Sequence, residues 1–249
     1  MSRAWRAFRW SGRIIKFLFF CLIFGVIAIL LWRMFSSGDP DSMKTVTPND
    51  RLALCYEQQG EELSLFRQEQ RSITSGEENY GYFSVTDAIF IPDANQIQIV
   101  VRYNNSTLRS LAEDKGLSEV PAREADLFDV TLSVATDLTP ENTEDNLGNA
   151  EGSVSFTRVH PVSVTSDTKN LYNYRRFVFD LDKSGLSLSA LLEQDLLLAV
   201  YADIYYVGDV DYEKPAYGTL CLYDYITEIR EERLTKDDIR ALDAYLGKE

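Results

Sequence analysis

The sequence predicts a mainly β protein: a single N-terminal transmembrane helix, an antiparallel β-sandwich, and a C-terminal amphipathic helix. Three observations predict this. Residues 14–32 form an apolar run with Lys16 as its only charge. From Tyr80 apolar residues recur with a period of two between turn signals. From Thr235 the apolar spacing becomes helical, behind a capping residue.

A membrane-crossing helix needs about 20 mainly apolar residues to cover about 30 Å of hydrocarbon. The run 14–32 is close to that, and Lys16 near its end can snorkel its ammonium to the headgroups. Arg3, Arg6, Arg9 and Arg13 precede it without an acid, whereas Asp39, Asp41 and Asp50 follow it. This asymmetry makes 1–13 a basic cytoplasmic tail and puts everything after Trp32 outside the cytoplasm. A cleaved signal peptide would carry an apolar core of about 7–15 residues and a small-residue site. Leu31-Trp32-Arg33-Met34 offers no such site, and Ser36-Ser37-Gly38 is only a weak one. The run therefore reads as an uncleaved signal-anchor in the cell membrane.

The chain of 249 residues is 45% hydrophobic and 12% aromatic, ordinary for a folded protein. Its net charge is −14, yet the first 33 residues hold six basic groups and no acid. The exported part thus carries 19 basic against 39 acidic groups, a net −20. Such a surface repels nucleic acid, which removes that class of partner, and favours cationic partners or divalent ions. Cys21 lies inside the anchor; Cys55 and Cys221 lie beyond it, where a disulfide persists if it forms. Pairing them would clamp the start of the domain to its end, worth roughly 5 kcal/mol in a chain-entropy model. Two free thiols are the alternative.

Residues 33–48 are rich in Ser, Asp, Thr and Pro and read as a stalk. Residues 49–79 read as a covering segment, with 52–59 either helix or strand, 61–71 helix-favouring, and 74–79 a loop. The sandwich follows over 80–226, with strands expected at 80–91, 96–103, 127–136, 153–165, 174–181, 195–207 and 217–225. Pro161 within the fourth suits an edge or a bulge. In 96–103, Ile97, Ile99, Val101 and Tyr103 share an inward face, leaving Gln96, Gln98 and Arg102 outward. Short helices are expected at 107–115, ended by Gly116, and at 186–194. Seven alternating strands without βαβ rhythm suggest an immunoglobulin-like sandwich, by pattern alone, since no Cys–Trp–Cys framework is present. In 227–249, Thr235 and Asp238 make a capping-box-like pair, and Leu234 with Ile239 a hydrophobic staple. Ile239, Leu242, Tyr245 and Leu246 form a stripe up to Gly247. The expected cover for that stripe is the outer face bearing Tyr201, Tyr205, Cys221, Tyr223 and Tyr225.

No catalytic set emerges. His160 is the only histidine, no Gly-x-Ser-x-Gly surrounds a serine, and the cysteines lack zinc-ligand spacing. Asp180-Leu-Asp182-Lys-Ser184-Gly185 starts like a calcium loop, but Leu191 stands where the bidentate Glu belongs. Asp209, Asp211 and Glu213 form a second acidic loop, and Glu141, Glu144 and Asp145 a third; together they are the weak Ca²⁺ candidates, with no cofactor the default expectation. Tyr201, Asp203 and Tyr205 could stack and hydrogen-bond a sugar if left uncovered. Asn104 and Asn105 each begin an N-glycosylation sequon, meaningful only in a eukaryotic host. The expected function is therefore a membrane-anchored extracytoplasmic binding or assembly module without catalytic activity, with a protein or glycan partner. One alternative is an anchored hydrolase using paired carboxylates at one end of the sandwich. Another is an accessory subunit of a membrane complex, with Gly25 and Ala28 as a small-residue contact.

Overall fold

The computed structural model describes residues 3–36, 39–72, 83–122, 125–135, 156–193, 200–214, 216–222 and 230–248. It divides into two units, Met1–Asp39 and Pro40–Glu249. The first is one helix, α1 (Arg3–Ser36), of 34 residues. Its apolar side chains stand exposed, Phe17 at 67% and Trp32 at 66%. Among the described residues no helix is long and apolar enough to cross a membrane; the side chains described in α1 are those of 16–32.

The second unit is mainly β, with two antiparallel sheets and a few helices. One sheet has six strands in the order β10-β1-β2-β3-β7-β6, the other four in the order β5-β4-β8-β9. The strands are β1 (Ser64–Ser72), β2 (Ser84–Ile91), β3 (Gln96–Asn104), β4 (Phe128–Ala135) and β5 (Phe156–Val159). Then come β6 (Pro161–Lys169), β7 (Tyr172–Asp180), β8 (Val200–Tyr206), β9 (Gly218–Cys221) and β10 (Arg230–Arg233). Helices are α2 (Asp50–Gln59), α3 (Asn105–Asp114), α4 (Leu188–Glu193) and α5 (Lys236–Leu246). The sheets share one core: Ile97, Ile99 and Val101 of β3 and Phe177 and Phe179 of β7 meet Val130, Leu132 and Val134 of β4 and Ala202 and Ile204 of β8. The inward face predicted for β3 is the one observed.

The strand expected over 153–165 is two strands. The chain leaves the four-stranded sheet at Val159 and enters the six-stranded sheet at Pro161, with His160 between. Both lie at sheet edges, where a proline without an N–H can begin a strand. Two further strands went unanticipated. Most of the stretch 61–71, read as helix-favouring, lies in β1, between β10 and β2, because pairing on both sides overrides a weak propensity. β10 is a short charged edge strand inside the region assigned to the tail. The expected loop 74–79, the third acidic loop and Tyr223 and Tyr225 lie outside the described residues.

The outward face of the six-stranded sheet is buried at Gln96 and Gln98 of β3 and Arg176 of β7, contrary to its polar pattern, while edge strand β6 stays largely exposed. Residues 43–47, expected as stalk, lie along it, and its side chains hold their main chain. Arg176 donates to the carbonyls of Met43 and Thr45. Gln98 accepts from Thr47 N at 2.8 Å and donates to Thr47 O at 2.9 Å. Arg67 donates to Lys44 O at 3.0 Å, and Asp238 accepts from Val46 N at 2.7 Å. Arg176 is 0% exposed, Gln98 1% and Asp238 0%, so these groups find in the strap the partners that burial denies them in water.

Next to the strap, α2 and α5 cover β1 and β2. Leu52 and Tyr56 of α2 and Leu242 of α5 pack with Leu65, Ile89 and Ile91. The tail helix has its predicted box: Thr235 and Asp238 cap each other's backbone, and Leu234 and Ile239 enter the same cluster. Its cover is different. It lies against the six-stranded sheet, not on β8 and β9, because Leu65, Ile89 and Ile91 give it an aliphatic surface there. Tyr245 stays 48% exposed and donates to Asp50 at 2.6 Å.

Candidate functional site

The richest side-chain chemistry stands where β5 turns into β6. Alternation along β4, β5 and β8 sends Asp129, Ser133, Phe156, Arg158, Tyr201, Asp203 and Tyr205 to the face of the four-stranded sheet opposite the core. After β8 a turn over Val207–Asp209 returns the chain across that face, where Gly208 passes so close to the Tyr206 ring that a Cβ would collide with it. The return seats Tyr212. Its hydroxyl donates to Asp129, and its ring meets Tyr205 and His160 edge-on, each at 5.0 Å. Arg158 lies 5.2 Å over the same ring and donates to Tyr212 O at 2.9 Å. Burial first, then Asp129, pushes the Tyr212 phenol up to about 12. Burial, then Asp203, raises Tyr205 as well. Both are neutral hydrogen-bonding groups at physiological pH, not phenolate nucleophiles.

Asp203 accepts from Ser133 and, at 2.9 Å, from Thr219, which ties β4, β8 and β9 together. Asp129 opposes Tyr205 while Asp203 lies two residues along β8, so the two carboxylates are diagonal neighbours. Phe156 packs edge-on against Tyr201 at 5.9 Å. The sugar-stacking trio Tyr201, Asp203 and Tyr205 thus lies on a face that the tail helix does not take, although Tyr205 is 5% exposed beneath Tyr212.

Beside this cluster a cleft of about 500 Å³ opens at the corner, lined by Arg158, His160, Pro161, Val162, Asp180 and Lys183 among others. A second, of about 330 Å³, is lined by Lys115, Tyr205, Asp209, Asp211, Lys214 and Tyr217 among others. Neither is lined by Asp129 or Asp203.

The calcium candidates are distributed among cations. Asp180 and Asp182 face Arg51 of α2, with Asp180 at 3.7 Å. Asn95, at a backbone φ of 48°, donates to Asp182 and to Leu186 O, which fastens that turn to the β2–β3 loop. Asp209 pairs with Lys115 at 2.7 Å and Asp211 with Lys214 at 2.9 Å. Lys214, then the Glu213 amide, holds Asp211 below the usual carboxylate range. Glu213 contributes that amide at 3.1 Å. Among the described residues no three His, Cys, Asp or Glu side chains gather for a metal. Cys55 is a free thiol whose sulfur donates to Asp93 O, and burial pushes its pKa up. It sits on α2 over the six-stranded sheet, whereas Cys221 ends β9 in the other sheet.

Arg158, Tyr212 and Lys183 carried no sequence motif. One signal was present: Arg158 and His160 are two apart, so they share a side at the corner. No family model, curated protein or solved structure matches this chain.

Proposed function

We propose that the protein is a single-pass, membrane-anchored binding or assembly module whose body works on the extracytoplasmic side. Residues 14–32 are its anchor and 1–13 its cytoplasmic tail. The observation that carries this is the apolar run inside α1, preceded by four arginines and followed by an acidic body of net −20. In this reading the body is an immunoglobulin-like sandwich, two antiparallel sheets over a shared core, that presents the corner cleft and the aromatic face beside it to a partner. Alkaline carbonate extraction tests the anchor. The full chain stays in the membrane pellet, whereas release into the supernatant would refute integral insertion.

A hydrolase is the rival reading, favoured by the diagonal Asp129 and Asp203 on one sheet face. Inverting glycosidases hold their carboxyls about 6.5–9.5 Å apart. The hydroxyls of Tyr212, Ser133 and Thr219 already occupy these acids, which favours structural work for them. Turnover of a glycoside panel that Asp129→Asn and Asp203→Asn both abolish would decide for the enzyme.

A further inference from the structure

We infer that the corner cleft is a binding site for a small organic oxyanion, a sulfate, phosphate or carboxylate carried on a short apolar body. The inference rests on the reading of the body as a binding module and names what one of its sites takes. The exported part has twice as many acids as bases, 39 against 19. Yet Arg158, His160 and Lys183 converge on one cleft of about 500 Å³. Its one acid, Asp180, is already held by Arg51 and by the Asp182 amide at 3.0 Å. Among the described residues the Lys183 ammonium has no ion-pair or hydrogen-bond partner. Arg158 donates to the Tyr212 carbonyl and to the Tyr205 hydroxyl, and its guanidinium carries five N–H donors in all. Val159, Pro161 and Val162 give the cleft an apolar wall, with Val162 40% exposed.

Magnitudes decide whether these cations win against the acidic body. Charges farther than about 8 Å are largely screened at physiological ionic strength. A contact at about 4 Å near a protein surface is screened far less. The cleft's own side chains, Arg158 and Lys183 with Asp180 already paired to Arg51, therefore set its local charge more than remote acids do. The His160 ring meets the Tyr212 ring edge-on at 5.0 Å, and Arg158, Lys183 and Asp180 line the same cleft.

His160 is the only histidine, so its ring protons give an unambiguous NMR reporter in the full-length chain in nanodiscs. Phenyl sulfate, sodium sulfate and phenol are titrated at matched ionic strength. The His160 signal is expected to shift saturably with phenyl sulfate, less with sulfate, and not with phenol. Lys183→Gln is expected to weaken phenyl sulfate about tenfold by removing a charge-assisted bond. Its melting midpoint stays unchanged, because Lys183 is exposed. No saturable shift, an equal response to phenol, or an unweakened Lys183→Gln overturns the oxyanion site. Membrane topology is measured separately, so an inert cleft and a wrong anchor give different results.

Discussion

Arg176 is the largest fully buried side chain among the described residues. It is 0% exposed, donates to two strap carbonyls and lies 3.7 Å from Asp87, itself 8% exposed. Arg176→Met keeps the bulk but removes the guanidinium beside a buried carboxylate and from two strap carbonyls. The expected loss is about 3–5 kcal/mol in urea unfolding; a loss below about 1 kcal/mol would mean the guanidinium does not organise this face. Tyr212 gives a prediction in pH. A folded-state phenol raised to about 12 stabilises the fold fully below the ordinary tyrosine value of about 10. That stability is lost as pH climbs through about 12. Melting midpoints measured from neutral to alkaline pH should fall over that window, and Tyr212→Phe should fall less steeply. Tyr205, Tyr56 and Tyr245 are raised too, so the slope shrinks without vanishing.

At the scale of elements, α5 shows two kinds of cap. Thr235 is an ordinary N-cap, and Thr235→Ala should cost about 1 kcal/mol. Asp238 closes the same box and also accepts from Val46 N while lying 3.6 Å from Arg67. Asp238→Ala should therefore cost clearly more than Thr235→Ala, and amide exchange at Val46 should quicken only in the former. Equal costs in the two variants would mean that the strap is not held from α5. The box was legible in the sequence because capping is local: two residues three apart suffice. The docking of α5 was not, because it depends on which sheet face is aliphatic. The outward face of β3, with Gln96 and Gln98, looked solvated for the same reason: alternation reports polarity, not what satisfies it. Here Gln98 bonds the main chain of Thr47 and donates to Gln96, a partnership that no side-chain pattern announces. β1 was obscured by Arg67, whose charge serves Lys44 O and Asp238 instead of water. Inward strand faces were legible because Ile97, Val130 and Ile204 have nowhere to go but the core.

On the scale of the whole molecule, charge and anchoring set the behaviour. Among the described residues, Asp182, Asp209 and Asp211 pair with Arg51, Lys115 and Lys214, so a calcium ion at those two loops would have to displace cations already in place. Millimolar Ca²⁺ should leave the melting midpoint unchanged, since only a ligand bound by the folded state raises it. A rise of several degrees would show that these loops rearrange around the ion. The body begins with Pro40, which is already buried, and Arg176 grips Met43.

Protease accessibility of the full chain in spheroplasts tests the central claim most directly, read with tags at both ends. The account predicts that protease added outside removes the C-terminal tag and digests the body, while the N-terminal tag survives on a membrane-bound fragment until the cells are lysed. A C-terminal tag that outlasts external protease, and disappears only after lysis, would contradict it.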